Sequence, residues 1–310
     1  MPVVGPYSYA LEVPALDEGI QFYSDAGLHP SIEGNTAHFR CAGEEHASVV
    51  LRAGADHKCL HHVTLRADGL DEIAGRVAEA GGKVIRAPQD WDEEGLWVED
   101  PNGLRYRLVE ATEEGVSFSS SPFAINAPDR IVRSGRPAVR PIASYGSPRP
   151  LRLGHVMLFT PDVAASVRFV TEAFGMGLAD QSQDVIAFTC ARKASDHHVV
   201  AFAKSAGIGF HHGSFAVNDP DEVGRFGQAL RLASGKGEWG FGRHTIGSNF
   251  FHYIQDPWGS WFEYYSDMDY IEDYSAWTPT NYSLDDSLAN WGPAVPQDFV
   301  TNYEVQIGHR

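Results

Sequence analysis

Hydrophobic and polar positions along the chain change period in a fixed order, and that order recurs. Tyr7 to Val13 alternates as a half-buried strand does, and the following LDEGIQFYSDAGL sets Leu16, Ile20 and Tyr23 at helical spacing. Strand-like stretches at HASVVLRA and HHVTLRA come next, then a helix from about Leu70 to Ala80 ended by Gly81-Gly82, then GLWVEDPNGLRYRLVEA. From residue 151 the pattern begins again. Strand 153–160 leads into a helix opened by Asp162, with Val163, Val167, Val170 and Phe174 on one stripe; strand 210–217 leads into a second helix around Asp221 to Leu232. EDPNGLRYRLVE (99–110) echoes QDPWGSWFEYYS (255–266), and LHHVTLRA echoes FHHGSFAV. The expected fold is α+β, with βαβββ modules paired in each of two homologous domains.

The expected organisation is an N-terminal domain at 1–115, a linker at 116–150, a C-terminal domain at 151–270 and a tail at 271–310. The linker holds six prolines and five arginines against the single acid Asp129, a composition that disfavours regular structure. The tail carries Tyr270, Tyr274, Trp277, Tyr282, Trp291, Phe299 and Tyr303, too aromatic for a disordered segment, so it must pack on something. A surface strap and a lid or oligomer contact are equally open readings.

Charge narrows the partners. A formal net charge of −17 argues against nucleic acid and anionic membranes. No apolar run approaches the roughly 18 residues of a membrane span, and MPVVGPYSY lacks the basic start and apolar core of a signal peptide, so a cytoplasmic protein is expected. Cys41, Cys59 and Cys190 have no CxxC spacing and read as packing residues. A homo-oligomer is the expected assembly.

The densest chemistry lies in GRHTIGSNFFHYIQDPWGSWFEYYSD (242–267), read as two strands joined by the turn Asp256-Pro257-Trp258-Gly259. Tyr253 and Glu263 can lie side by side across such a hairpin. A carboxylate among Trp261, Phe262, Tyr264 and Tyr265 needs a cation or donor to offset its burial. His155 and His212 each stand at the start of an apolar strand that runs into a helix-opening Asp. Two neutral imidazoles and one carboxylate on separate strands are the ingredients of a facial triad that holds Fe(II) and leaves coordination positions open.

Gly242, His244, Tyr253, Asp256-Pro257, Gly259 and Glu263 together resemble the signature of the type I extradiol ring-cleavage dioxygenases, in the vicinal oxygen chelate superfamily. One position departs: His252 stands where that family usually has an aliphatic residue or Phe, a change expected to affect the opposite strand face. The resemblance implies domains that wrap a sheet around a cupped cavity. Aligning the two halves sets Ser8 against His155, His62 against His212 and Arg107 against Glu263. Arg cannot coordinate a cation, so no metal is expected in the first half, and His62 reads as a structural histidine.

Adjacent histidines occur at 61/62, 197/198 and 211/212. Neighbours in a strand face opposite ways, so at most one of each pair is expected in the cup. Matching HVMLFTPD to HGSFAVNDP selects His212, with His211 on the other face and important for stability alone. The metal ligands are thus taken as His155, His212 and Glu263, with Fe(II), or alternatively Mn(II), as the metal. The resemblance further implies a catechol-type diol and O2 as substrates, with cleavage next to one hydroxyl to a muconic semialdehyde-type product. It makes Tyr253 a hydrogen-bond donor to substrate and His244 a group holding the bound diol. His198 keeps the family's spacing to Ala201-Phe202 and aligns with Ser48 of the other half, which makes it the acid/base histidine; counting back from His212 would favour His197 instead. The residues Trp239, Phe188, Phe202, Asn249 and His252 are candidates for the pocket wall. Two other readings compete: a glyoxalase-like metal-dependent isomerase, which would take ligands from both modules, and a non-catalytic small-ligand-binding member of the fold.

Overall fold

A computed structural model describes residues 2–89, 91, 94–111 and 123–306. The first half runs β1 (Val3–Val13), α1 (Leu16–Asp25), β2 (His29–Glu33), β3 (Thr36–Arg40) and β4 (Val49–Ala53). Its second module is β5 (Cys59–Ala67), α2 (Leu70–Val77), β6 (Lys83–Val84), β7 (Leu96–Glu99) and β8 (Arg105–Glu110). The second half opens with β9 (Arg152–Thr160), α3 (Val163–Glu172), β10 (Gly177–Ser182), β11 (Ile186–Cys190), a short β12 (Ser195–Asp196) and β13 (Val200–Lys204). Then come β14 (Gly209–Ala216), α4 (Pro220–Ser234), β15 (Glu238–His244), β16 (Phe250–Gln255) and β17 (Trp261–Ser266). The tail adds β18 (Tyr270–Ile271), β19 (Asn281–Tyr282), β20 (Ala289–Trp291) and α5 (Tyr303–Gln306). Residues 112–115, the end of the first expected domain, and 116–122 of the linker lie outside the described residues, as do 307–310.

Both halves are βαβββ pairs folded into one sheet each. The first sheet has eight strands in the order β2-β3-β4-β1-β5-β8-β7-β6; the second has ten, β19-β10-β11-β13-β9-β14-β17-β16-β15-β20. At the centre of each, the first strands of the two modules pair antiparallel, β1 with β5 and β9 with β14. In the second half α3 and α4 start where the sequence provides caps: Asp162 accepts from the Ala165 N–H and Asp219 from the Glu222 N–H.

The tail is not an appendage. β19 and β20 extend the two edges of the second sheet, while Trp277 and Tyr274 donate to the carbonyls of Ala179 and Leu178.

Strand alternation divides β17 cleanly. Phe262 and Tyr264 face a core shared with the first half, where Phe262 stacks on Phe215 at 4.3 Å between centroids and meets Tyr23 at 6.1 Å. Tyr9 stacks on Phe210 at 4.4 Å and closes over Gly213, where a Cβ would lie 2.4 Å from its ring. This core fixes the back of the second sheet. Glu263 therefore points the other way, into the cup.

Candidate active site

Register brings the polar residues of the cup together. His155 on β9 lies opposite Ser214 on β14, and Ser214 opposite Glu263 on β17; Glu263 in turn lies opposite Tyr253 on β16. In the first half Ser8 lies opposite Thr64, and Thr64 opposite Arg107, so the expected equivalence of Ser8 with His155 and Arg107 with Glu263 holds strand by strand.

Three donor atoms converge. His155 Nε2 and His212 Nε2 are 3.3 Å apart, and Glu263 Oε2 lies 3.2 Å from the first and 3.7 Å from the second. His155, His212 and Glu263 are all buried and all within 4.8 Å of one another through these atoms. Two metal–ligand bonds of about 2.1 Å at a right angle separate their donor atoms by about 3.0 Å, so the three fit one face of an octahedral cation. Glu263 supplies a second indication: Asn249 donates to Oε1 at 3.2 Å, whereas Oε2 is buried without a hydrogen-bond partner. A buried carboxylate oxygen left bare costs several kcal/mol (roughly 2–7) in an apolar medium, which a cation would offset.

The electrostatics favour ligation. Burial works against the charge of Glu263, but the surrounding imidazoles of His155, His244 and His212 outweigh it and hold the carboxyl well below its usual range. Burial pushes His212 and His198 well below the ordinary imidazole value, reinforced by neighbouring histidines. Both rings are thereby kept neutral, the form that coordinates or accepts a proton. Burial and the Glu263 charge raise the Tyr253 phenol, so it stays a donor.

His198 packs on the site, its ring centroid 4.1 Å from that of His155, with Phe188 on its other side at 4.9 Å. His197 turns away and bonds Asp180 Oδ2 at 2.8 Å. His244 donates from Nδ1 to the Leu288 carbonyl, leaving Nε2 to accept from the Tyr253 hydroxyl at 3.0 Å.

A cavity opens over this face. Phe188 and Asn249 line it as expected. Trp239 does not reach it but stacks behind Tyr253 at 5.4 Å, Phe202 belongs to the shared core, and His252 bonds Glu238 on the reverse side of the sheet. Met157, Ile186, Ala201, Ala203, Ile246 and Ser287 were not foreseen. Leu288, Phe299 and Val300 from the tail complete the wall. The tail's aromatic content was the available signal.

A further expectation fails. His211 and His212 both line the cavity, because a β-bulge between Phe210 and His212 sets two residues of β14 against one of β9 and suspends the alternation. Their Nδ1 atoms meet at 2.7 Å. The same interruption occurs opposite Ala10 and Leu11 in β5, where His61 and His62 meet at 2.7 Å. Burial also pushes His211 down, to about 3.

The profile of the Glyoxalase/Bleomycin resistance protein/Dioxygenase superfamily matches residues 152–264, the span that carries this site. Metapyrocatechase 2 of Cupriavidus necator is 36% identical over 307 residues, covering 96% of this chain and 91% of the relative. The chain belongs to this superfamily. Two solved members share the fold of this superfamily protein at the same TM-score of 0.75 and 24% identity. One is the Mn(II)-bound glyoxalase from Novosphingobium aromaticivorans, matched over 96% of this chain and 93% of that one. The other is homoprotocatechuate 2,3-dioxygenase from Brevibacterium fuscum in complex with 3,4-dihydroxyphenylacetate, matched over 97% and 92%.

Proposed function

We propose that this superfamily member is an extradiol dioxygenase that opens a catechol-type ring beside one hydroxyl, with His155, His212 and Glu263 holding Fe(II). The observation that carries the reading is the convergence of two imidazole nitrogens and an unpartnered carboxylate oxygen on one wall of an apolar cavity, with His198 beside them. The relative at 36% identity is named for catechol cleavage, which supports the same chemistry.

Bound there, the metal would supply Lewis acidity, a common anchor for both diol oxygens and dioxygen, and a path for electrons between them. The chain's own residues manage protons and orientation. Neutral His198 accepts a hydroxyl proton as the diol enters and returns it to the departing oxygen later. The Tyr253 phenol donates toward a substrate oxygen, its present acceptor His244 being anchored by the tail carbonyl of Leu288. Asn249 fixes one oxygen of Glu263 so that the other stays aimed at the centre. Apolar walls from Phe188, Ile246, Leu288 and Phe299 exclude water and leave the ring little freedom.

Ser8 and Arg107 occupy the ligand positions of the first half, which argues against the two-module ligand set of a glyoxalase-like isomerase. Oxygen uptake by the iron-reconstituted chain against a panel of substituted catechols tests the proposal. It predicts one O2 consumed per diol opened; no uptake with any catechol overturns it.

A further inference from the structure

We infer that His211 is a positioning residue that sets the tautomer of His212 and so prepares it as a ligand. The inference rests on the metal-centre reading above. A neutral histidine carries one ring proton, so His212 presents a lone pair at Nε2 only when that proton sits on Nδ1. Its Nδ1 faces His211 Nδ1 at 2.7 Å, a distance that accommodates one proton between the two nitrogens and neither two nor none. His211 Nδ1 is therefore the acceptor, and its own proton lies on Nε2.

Several features hold that arrangement. His211 is buried at 1% exposure, wedged between Phe159 at 5.0 Å and Phe299 at 4.9 Å. Its Nε2 is buried, and the backbone of Phe299 interacts with the ring. A ligating histidine ordinarily donates its second N–H to a carboxylate, a backbone carbonyl or water. The bulge in β14 puts an imidazole in that place, and the neutral ring does so without adding charge. The first half has the same paired contact at His61 and His62 but offers Ser8 and Arg107 in place of ligands, so the bulge is a property of the duplicated strand. In the second half its consequence is different, because His212 turns its other nitrogen toward Glu263.

The test strips the purified chain of metal and titrates it with Mn(II) calorimetrically, alongside His211→Phe, His211→Asn and His61→Phe. His211→Phe keeps the ring packing and removes the acceptor; it should weaken Mn(II) roughly 10- to 100-fold, the usual cost of losing such a partner. Asn presents its Oδ1 near the place of Nδ1, so His211→Asn should bind within a few-fold of the parent, and His61→Phe should bind as the parent does. Equal affinity in His211→Phe and the parent, equal loss in His211→Phe and His211→Asn, or an equal loss in His61→Phe overturns the inference while leaving the metal centre standing. A parent chain that takes up no metal overturns both. The tautomers can also be read without any substitution, by nitrogen NMR of the Zn(II)-loaded chain with isotope-labelled histidine. The proton should be on Nε2 of His211 and Nδ1 of His212; the reverse assignment contradicts the proposal even if a variant fails to fold.

Discussion

Glu263 is a carboxylate with no solvent exposure and one oxygen left unpartnered, so its substitution separates metal binding from folding. Glu263→Gln keeps the shape and the Asn249 contact; its metal affinity should fall by more than the roughly 100-fold that loss of an outer partner costs. His198→Phe should keep its metal and still bind catechol, yet lose about 10²–10⁴ in turnover. His197→Phe should remain active but less stable by about 1–3 kcal/mol, because it leaves Asp180 short of a partner. Burial raises Asp256 to about 6, against the opposing pull of Lys58 and the backbone N–H groups of Trp258, Ser260 and Gly259. The folded chain holds that proton more tightly than the unfolded one, so this stabilisation is full below about pH 3.9 and is lost as pH rises through about 6, on the order of 3 kcal/mol in all. Urea midpoints measured between pH 4 and 6.5 should show this decline in the parent and lack it in Asp256→Asn. At this scale the sequence revealed the residues that carry charge or a lone pair in an apolar run. Ile186, Ala201 and Ala203 were invisible, since nothing distinguishes a cavity wall from a core in a list of apolar residues.

Among the elements, alternation identified the cup faces of β9, β16 and β17 and failed at β14, where a bulge inserts a residue between Phe210 and His212. Helices α3 and α4 were legible because Asp162 and Asp219 cap them. The tail showed by its aromatics that it packs, but not where, since its partners lie far along the chain. Its last anchor is Glu304, which accepts from Lys58 Nζ at 2.7 Å and from the backbone N–H groups of Leu60 and Phe210. Glu304→Ala should leave a buried ammonium unpaired and cost about 3–5 kcal/mol by urea denaturation, a loss that the apolar double variant Lys58→Met/Glu304→Leu should recover in part, since the Leu60 and Phe210 N–H groups still lack their acceptor. If Glu304→Ala unfolds at the parental midpoint, α5 does not hold the tail down.

Across the whole molecule the two halves share one framework, and among the described residues the cluster of possible metal ligands, His155, His212 and Glu263, lies in the second. The repeat was readable from two short echoes in sequence, and the register of both sheets reproduces it, with Ser8 and Arg107 standing where His155 and Glu263 stand in the other half. Among the described residues that line the cavity there is no Lys or Arg, so a ring substituent that carries a carboxylate would be buried unpaired. Steady-state comparison should therefore give kcat/KM for 4-methylcatechol above that for 3,4-dihydroxyphenylacetate by about 100-fold or more. The central claim is that a single metal, in the second half, organises this site. Anomalous diffraction at the iron or manganese edge from metal-loaded crystals tests it most directly: one peak per chain between His155, His212 and Glu263 is the predicted result, and a peak beside His62 and Arg107, or none at the triad, would contradict it.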